Sequence, residues 1–338
     1  MNPFDDYVTR SRQQPGLAGL GDRGEPEPVV QESQRTSGTT ITPGRAYGFF
    51  TDTTLCIGCK ACEVACKQWN NLPAEDFRLS GTSYDNTRAL SATTWRHVHF
   101  IEQFDENRFT EPPGAQELRL NLPADFEPWG NLTTSEQWAA PGQRWLFMSD
   151  VCKHCVNAPC LEACPTGSII RTEFDSVYVQ QDVCNGCGYC QAACPFGVIE
   201  VDMEVTGKAH KCTLCYDRLR DGLEPACAKS CPTDSIQFGA VDDLLERARV
   251  RVAELRERGI PAYLYGSGGL LEDDCDTAEL GGLNCFFLLI DRPEVYNLPP
   301  IAKRPANNTS SAVLTGALAA LAITAGSLLA FRAARQDT

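Results

Sequence analysis

CNGCGYCQAACP, residues Cys184–Pro195, sets four cysteines at C-x2-C-x2-C-x3-C and closes them with a proline. The same spacing runs through CIGCKACEVAC, Cys56–Cys66, with Lys67 in the proline's place. Two longer versions stretch the loop before the third cysteine: Cys152-x2-Cys155-x4-Cys160-x3-Cys164-Pro165 and Cys212-x2-Cys215-x11-Cys227-x3-Cys231-Pro232. Sixteen of the eighteen cysteines therefore fall into four complete sets of four.

The spacing has a physical cause. Three closely spaced cysteines on a turn can grip three corners of an iron–sulfur cube, while Gly58 and Gly186 let backbone amides approach the sulfurs. The fourth lies one helical turn beyond the third, displaced along the axis; in two-cluster ferredoxins this residue ligates the other cluster. The proline after it stops the helix. Structural zinc also uses C-x2-C pairs, but typically two of them well apart, without a tight third cysteine. Sixteen thiolates divide into four 4Fe-4S clusters, and since no set replaces a cysteine, a three-iron cluster is not indicated.

Composition narrows the remaining classes. With 338 residues, 43% hydrophobic, and a mean hydropathy of −0.26, the chain is no disordered tail, collagen-like repeat or polytopic membrane protein. A formal charge of −14 sets its surface against phosphate backbones, so no nucleic-acid partner is expected. A disulfide framework suits small domains that cannot build a core, and this chain is long enough to build one.

The expected fold class is α+β: two ferredoxin-like two-cluster modules with a β-containing insertion, plus one C-terminal transmembrane helix. Residues 1–46, rich in Pro, Gly and charge, read as a disordered or partner-bound arm. No apolar stretch of about 7–15 residues follows Arg10 or Arg12, so no secretory signal is read there. Residues 47–240 form the four-cluster domain, with strands expected at Thr94–Phe104, Trp145–Met148, Ser168–Ile170, Val177–Val179, Val198–Val201 and Ser235–Phe238. Within it, 67–151 is an inserted lobe that contains all five tryptophans, Trp69, Trp95, Trp129, Trp138 and Trp145. In the extension 241–304, Val241, Leu245, Ala248, Val252 and Leu255 mark a helix stopped by Gly259 and Pro261, and Cys285–Ile290 a strand. Gly266, Gly268 and Gly269 lack the Lys and Ser/Thr of a phosphate cradle. Residues 305–338 are a membrane anchor: Ala312–Phe331 is free of charge and long enough for one crossing. Gly316, Ala320, Ala322 and Gly326 offer small-residue spacing for helix packing. Lys303 and Arg304 before the span and Arg332 and Arg335 after it do not set its orientation.

Other metal-binding or charged residues have modest expected roles. His154 and His210 are read as packing or hydrogen-bonding residues near the ligands, and His97 and His99 as a surface pair on one strand face. Lys60, Lys153, Lys211 and Lys229 flank the ligands and offset cluster charge. Cys275 and Cys285 stand outside the four sets, as a disulfide or as two thiols.

LCIGCKACEVACKQWN (Leu55–Asn70), NGCGYCQAACPFGV (Asn185–Val198) and above all KCTLCYDRLRDGLEPACAKSCPT (Lys211–Thr233) resemble the four-cluster ferredoxin-like β subunits of molybdopterin oxidoreductases. They are most similar to the β subunit of membrane-bound formate dehydrogenase. The resemblance runs from about Phe50 to Pro299, and the C-terminal span matches the same type. The inserted lobe is longer than in that family and the arm before Tyr47 is unfamiliar, so docking there is expected to differ. The family pattern implies that Cys56, Cys59 and Cys62 share a cluster with Cys231, and Cys212, Cys215 and Cys227 with Cys66. It likewise implies Cys152, Cys155 and Cys160 with Cys194, and Cys184, Cys187 and Cys190 with Cys164. Sequence alone also allows the first group to pair with the second and the third with the fourth.

The resemblance implies an electron-transfer subunit with no catalytic residues of its own. It would take electrons from a catalytic subunit holding a molybdenum or tungsten pterin and pass them to a membrane cytochrome b and quinone in anaerobic respiration. It also implies a single-pass protein of the cytoplasmic membrane, its cluster domain on the outer, periplasmic face, exported folded with a signal-bearing partner. An alternative keeps this role beside a nitrate, tetrathionate, polysulfide or dimethyl sulfoxide reductase, with electrons running the other way. An iron–sulfur redox sensor is a third reading; it calls for a DNA-binding or signalling domain, and none is visible.

Overall fold

Period-two alternation fails where a sheet is covered on both faces, and the two middle strands of the main sheet, YGFFTD and CFFLL, are buried along their whole length. The computed structural model describes residues 40–74, 85, 87–104, 143–268 and 277–336. Its strands are β1 (Tyr47–Asp52), β2 (Arg96–Phe104), β3 (Gln143–Val151), β4 (Ile169–Arg171), β5 (Val177–Val179), β6 (Glu200–Asp202), β7 (Lys208–His210), β8 (Ile236–Ala240), β9 (Tyr263–Tyr265) and β10 (Cys285–Leu289). The helices are α1 (Ala61–Trp69), α2 (Pro159–Glu162), α3 (Tyr189–Ala193), α4 (Tyr216–Arg220), α5 (Ala226–Lys229), α6 (Val241–Glu257) and α7 (Thr309–Gln336).

The main sheet has the order β8-β1-β10-β9. β1 runs antiparallel to β8, with Tyr47 opposite Ala240, and parallel to β10, with Phe49 opposite Cys285. The β1–β8 pairing closes a loop of nearly 190 residues and brings the first cysteine group against the last, where α1 packs on α5. Inside this closure, β4–β5 and β6–β7 are short antiparallel pairs beside the second and third groups, whose helices α2 and α3 pack together. The extension after residue 240 supplies the sheet's β9 and β10.

The described part of the inserted lobe is an antiparallel pair, β2 and β3, in register from Arg96 opposite Val151 to Phe104 opposite Gln143. The observed β3 extends past the expected Trp145–Met148 at both ends. The pair lies over the first cysteine loop: a Cβ on Gly58 would come within 2.9 Å of the Phe147 ring. Gln103 and Arg144 both donate to Asp291, tying the pair to the end of β10. Of the expected arm, residues 1–39 lie outside the described part. From Thr40 onward the chain is fastened, with the Gly44 amide donating to the Glu173 carbonyl at 2.7 Å and the Tyr47 hydroxyl accepting from the Thr42 amide at 2.8 Å.

In α6 the buried stripe is Leu244, Ala248, Val252 and Leu255; Leu244 takes the core place expected of Leu245, which is only half-buried. Gly259 follows in the left-handed region, φ 77°, where a helix commonly stops. Gly266 and Gly268 serve packing: a Cβ on either would strike Leu283 or the Gly282 backbone. Gly269 lies outside the described residues. α7 begins at Thr309 after a single turn, Pro305–Asn308. The window Pro305–Ser327 has a mean hydropathy of 1.5 and is 0% buried, so none of the described residues covers its apolar surface. Thr315, Thr324 and Ser327 return their hydroxyls to carbonyls four residues back, satisfying them within the helix.

Candidate iron–sulfur centres

The third residue of every C-x2-C pair is left-handed: Gly58 at φ 67°, His154 at 45°, Gly186 at 70° and Leu214 at 58°. Sequence reading finds this turn where glycine marks it and misses it at His154 and Leu214. A left-handed residue in the turn aims neighbouring amides toward one concavity, a geometry suited to anionic sulfur. The Leu214 amide donates to Cys212 Sγ at 3.3 Å, and the Ala209 amide to Cys184 Sγ at 3.4 Å. Gly186 is also demanded by space, since a Cβ there would sit 2.1 Å from the Gly207 carbonyl oxygen.

These turns gather the cysteines around enclosed spaces. One cavity is lined by Cys152, Cys155, Cys160 and Cys194, another by Cys164, Cys184, Cys187 and Cys190. Cys66 has Cys212, Cys215 and Cys227 as neighbouring thiols, and Cys56 has Cys59 and Cys231. Among the described residues no three His, Cys, Asp or Glu converge as they would on a single ion. Thiols spread around a space fit a multi-iron cluster.

Burial pushes the Cys62, Cys160 and Cys212 thiols up to about 12, so their deprotonation belongs with iron binding, which would release protons. Burial acts against Cys164 too, but hydrogen bonds from Ser168, 3.2 Å from its sulfur, and Thr166 outweigh it and bring the thiol down to about 6. His154 is held neutral by burial and by Lys211, Arg171 and Arg96. Its Nδ1 accepts from the Val177 amide at 3.0 Å, leaving Nε2 buried without a protein partner beside the Cys152 cavity.

Of the four flanking lysines, Lys153 and Lys211 are buried. Lys153 pairs with Asp150, while the Lys211 ammonium donates to the carbonyls of Val177, at 2.5 Å, and Cys212, at 2.9 Å. Around Lys211 stand Cys152, Cys160 and Cys212, so its charge lies where two thiol sets meet. Cys285 is a buried free thiol and Cys275 lies outside the described residues. Sequence reading passed over Arg96 and Ser149, which reach Cys62. The signal was a cation at Arg96 on the same strand face as Val98 and Phe100.

His97 and His99 share a strand face as expected, but not at the surface. His97 is wholly buried because α1 covers that face, and the two rings meet edge to face at 4.6 Å. Burial alone would lower the His97 pKa; Asp85, 2.9 Å from Nε2, and Glu63, 3.4 Å from Nδ1, outweigh it and hold it at about 9. An unfolded histidine titrates near about 6.5, so this stabilisation is complete below that pH and is lost as pH rises through about 9. His97→Phe is expected to lose on the order of 2 kcal/mol near pH 6 and much less near pH 10, read by denaturant unfolding at both. An equal loss at both would remove the charge from the explanation.

Two ferredoxin-like modules, each built to hold clusters in shared cysteine loops, define an iron–sulfur electron-transfer protein. Models of a 4Fe-4S dicluster domain match residues 55–168 and 143–241. The sequence is 36% identical over 306 residues to the nitrate-inducible formate dehydrogenase iron–sulfur subunit of Escherichia coli K12, covering 88% of each. It is 33% identical over 289 residues to the formate dehydrogenase iron–sulfur subunit of Haemophilus influenzae, covering 83% of this protein and 78% of the relative. It is also 30% identical to a subunit of the anaerobic dimethyl sulfoxide reductase of E. coli K12, over 60% of this protein and 77% of the relative. The chain belongs to the family of formate dehydrogenase iron–sulfur subunits. It is an electron-transfer subunit of the molybdopterin oxidoreductase kind, and catalysis falls to a partner subunit.

Proposed function

We propose that this chain carries four 4Fe-4S clusters and relays electrons from a formate dehydrogenase catalytic subunit to a membrane cytochrome b and quinone. The observation that supports it is the make-up of the two cavities, each lined by three cysteines of one sequence group and the fourth of another. On that pattern the ligand sets are Cys56, Cys59, Cys62 with Cys231; Cys212, Cys215, Cys227 with Cys66; Cys152, Cys155, Cys160 with Cys194; and Cys184, Cys187, Cys190 with Cys164. Bound there, the clusters supply one-electron chemistry at potentials set by charge, hydrogen bonds and exposure. The chain's own residues hold the sulfurs, shield the inner sets and fix the charge around them.

Thiols of different sets neighbour one another in series: Cys62 by Cys227, Cys212 by Cys152, and Cys160 by Cys190. The path then runs between two end sets whose exposed ligands are Cys59 and Cys187. Arg304, just before the apolar helix, pairs with Glu162 of α2, at 2.5 Å, between Cys160 and Cys164. That favours the Cys187 end facing the membrane and the Cys59 end facing the catalytic subunit. The family resemblance is what favours the outer face for the cluster domain, and protease added to intact spheroplasts would test it. The dimethyl sulfoxide reductase relative supports a second reading, a reductase partner with reversed flow; the co-purifying large subunit decides between them.

Anaerobically purified complex is expected to hold about sixteen iron and sixteen sulfide in this chain, four of each per cluster. Cys231→Ser is expected to alter the spectrum of the cluster held by Cys56, Cys59 and Cys62. Damage confined to the cluster of Cys212, Cys215 and Cys227 would overturn this pairing.

A further inference from the structure

Arg96 opens β2 and is 1% exposed. Its guanidinium lies 4.7 Å over the Phe49 ring, and Nη1 donates to Ser149 Oγ at 2.9 Å. That hydroxyl is 3.2 Å from Cys62 Sγ. The two remaining guanidinium nitrogens, Nε and Nη2, are buried without a hydrogen-bond partner. An arginine keeps its charge at any pH the protein meets, and a buried cation is strongly unfavourable unless opposite charge faces it.

The groups that supply opposite charge to Arg96 are Cys227, Cys62, Cys212 and Cys66. In the ligand sets proposed above, Cys62 belongs to one cluster and the other three to its neighbour. Arg96 thus stands at the junction of two anionic centres, held by Phe49 and Ser149 and leaving the three N–H donors of Nε and Nη2 for them. Lys211 stands at the next junction, where its ammonium donates to two backbone carbonyls and to the Cys152 sulfur.

We propose that Arg96 is a fixed countercharge shared by these two clusters, raising the reduction potential of both relative to the pair beyond them. Each incoming electron makes a cluster more negative, so a nearby cation stabilises the reduced form and its removal favours the oxidised one. The inference rests on the four-cluster reading, and iron and sulfide content measured on every variant separates failure of that reading from failure of this one.

The test is a potentiometric titration of the full complex, with clusters followed individually by paramagnetic resonance. Arg96→Met removes the charge and keeps an apolar stem over Phe49; Arg96→Lys keeps the charge. In Arg96→Met, two of the four clusters are expected to become about tenfold harder to reduce, which is about 59 mV for a one-electron couple. The other two should stay in place, and Arg96→Lys should stay near the parent. Unmoved potentials in Arg96→Met, or an equal shift of all four, would overturn the proposal. So would loss of iron in both variants alike, because the site would then require the arginine's shape and not its charge.

Discussion

Cys155→Ala in the assembled complex is expected to abolish quinone reduction while leaving formate oxidation with an artificial dye at the catalytic subunit intact. Cys155 is buried and lines a cavity with Cys152, Cys160 and Cys194, and the thiols of that set neighbour Cys212 on one side and Cys190 on the other. The set is therefore an inner link, and losing it interrupts the only series of thiol sets the described residues form. Iron should fall by about a quarter, from sixteen towards twelve, with one cluster of four lost. Preparations that keep the pterin and the other three clusters yet lose both activities would place this chain in the chemistry. Surviving quinone reduction would show a path around this link.

Removal of iron is expected to cost the inner module its fold while the main sheet persists. β4–β5 and β6–β7 are pairs of three residues each, and α2 and α3 have only four and five residues. Elements this short do not hold in water without packing or metal. Burial pushes several of the thiols well up, so a thiolate set without iron would re-protonate and leave its cavity unfilled. In contrast, β10 is buried throughout and α6 lays Leu244, Ala248, Val252 and Leu255 on its surroundings, an apolar core independent of any metal. Hydrogen exchange after anaerobic chelation should show residues 152–215 losing protection while β1, β8, β10 and α6 retain theirs. Uniform loss would mean that the sheet also depends on the clusters; uniform retention would mean that the thiol loops are held without them.

The cysteine sets, their loop spacing and the apolar C-terminal segment were legible because each is local: eleven to twenty residues hold a whole set, and twenty uncharged residues in a row make the span. Local spacing could not say which group meets which, and two pairings stood equal in the residues alone. The arrangement follows from β1 lying against β8, Tyr47 opposite Ala240, a contact between segments at opposite ends of the domain. No window of sequence contains both partners. The main sheet was hard to see for a related reason, since YGFFTD and CFFLL are covered on both faces and lose the alternation that marks a half-buried strand.

The environment of β2 likewise emerged only in three dimensions. Its alternation placed Arg96 on one face and His97 and His99 on the other, but not what each face would meet. Glu63 on α1 and Asp85 turned a supposed surface pair into a buried ion-paired histidine. Phe49, Ser149 and the thiols of two different groups turned Arg96 into a buried cation between anionic centres. Which atoms can bind iron is readable from the chain alone, because ligand chemistry resides in side-chain type and short spacing. Which sulfurs share a space, and which charge faces them, is set on folding, because solvation and electrostatics depend on neighbours that long-range strand pairing brings together.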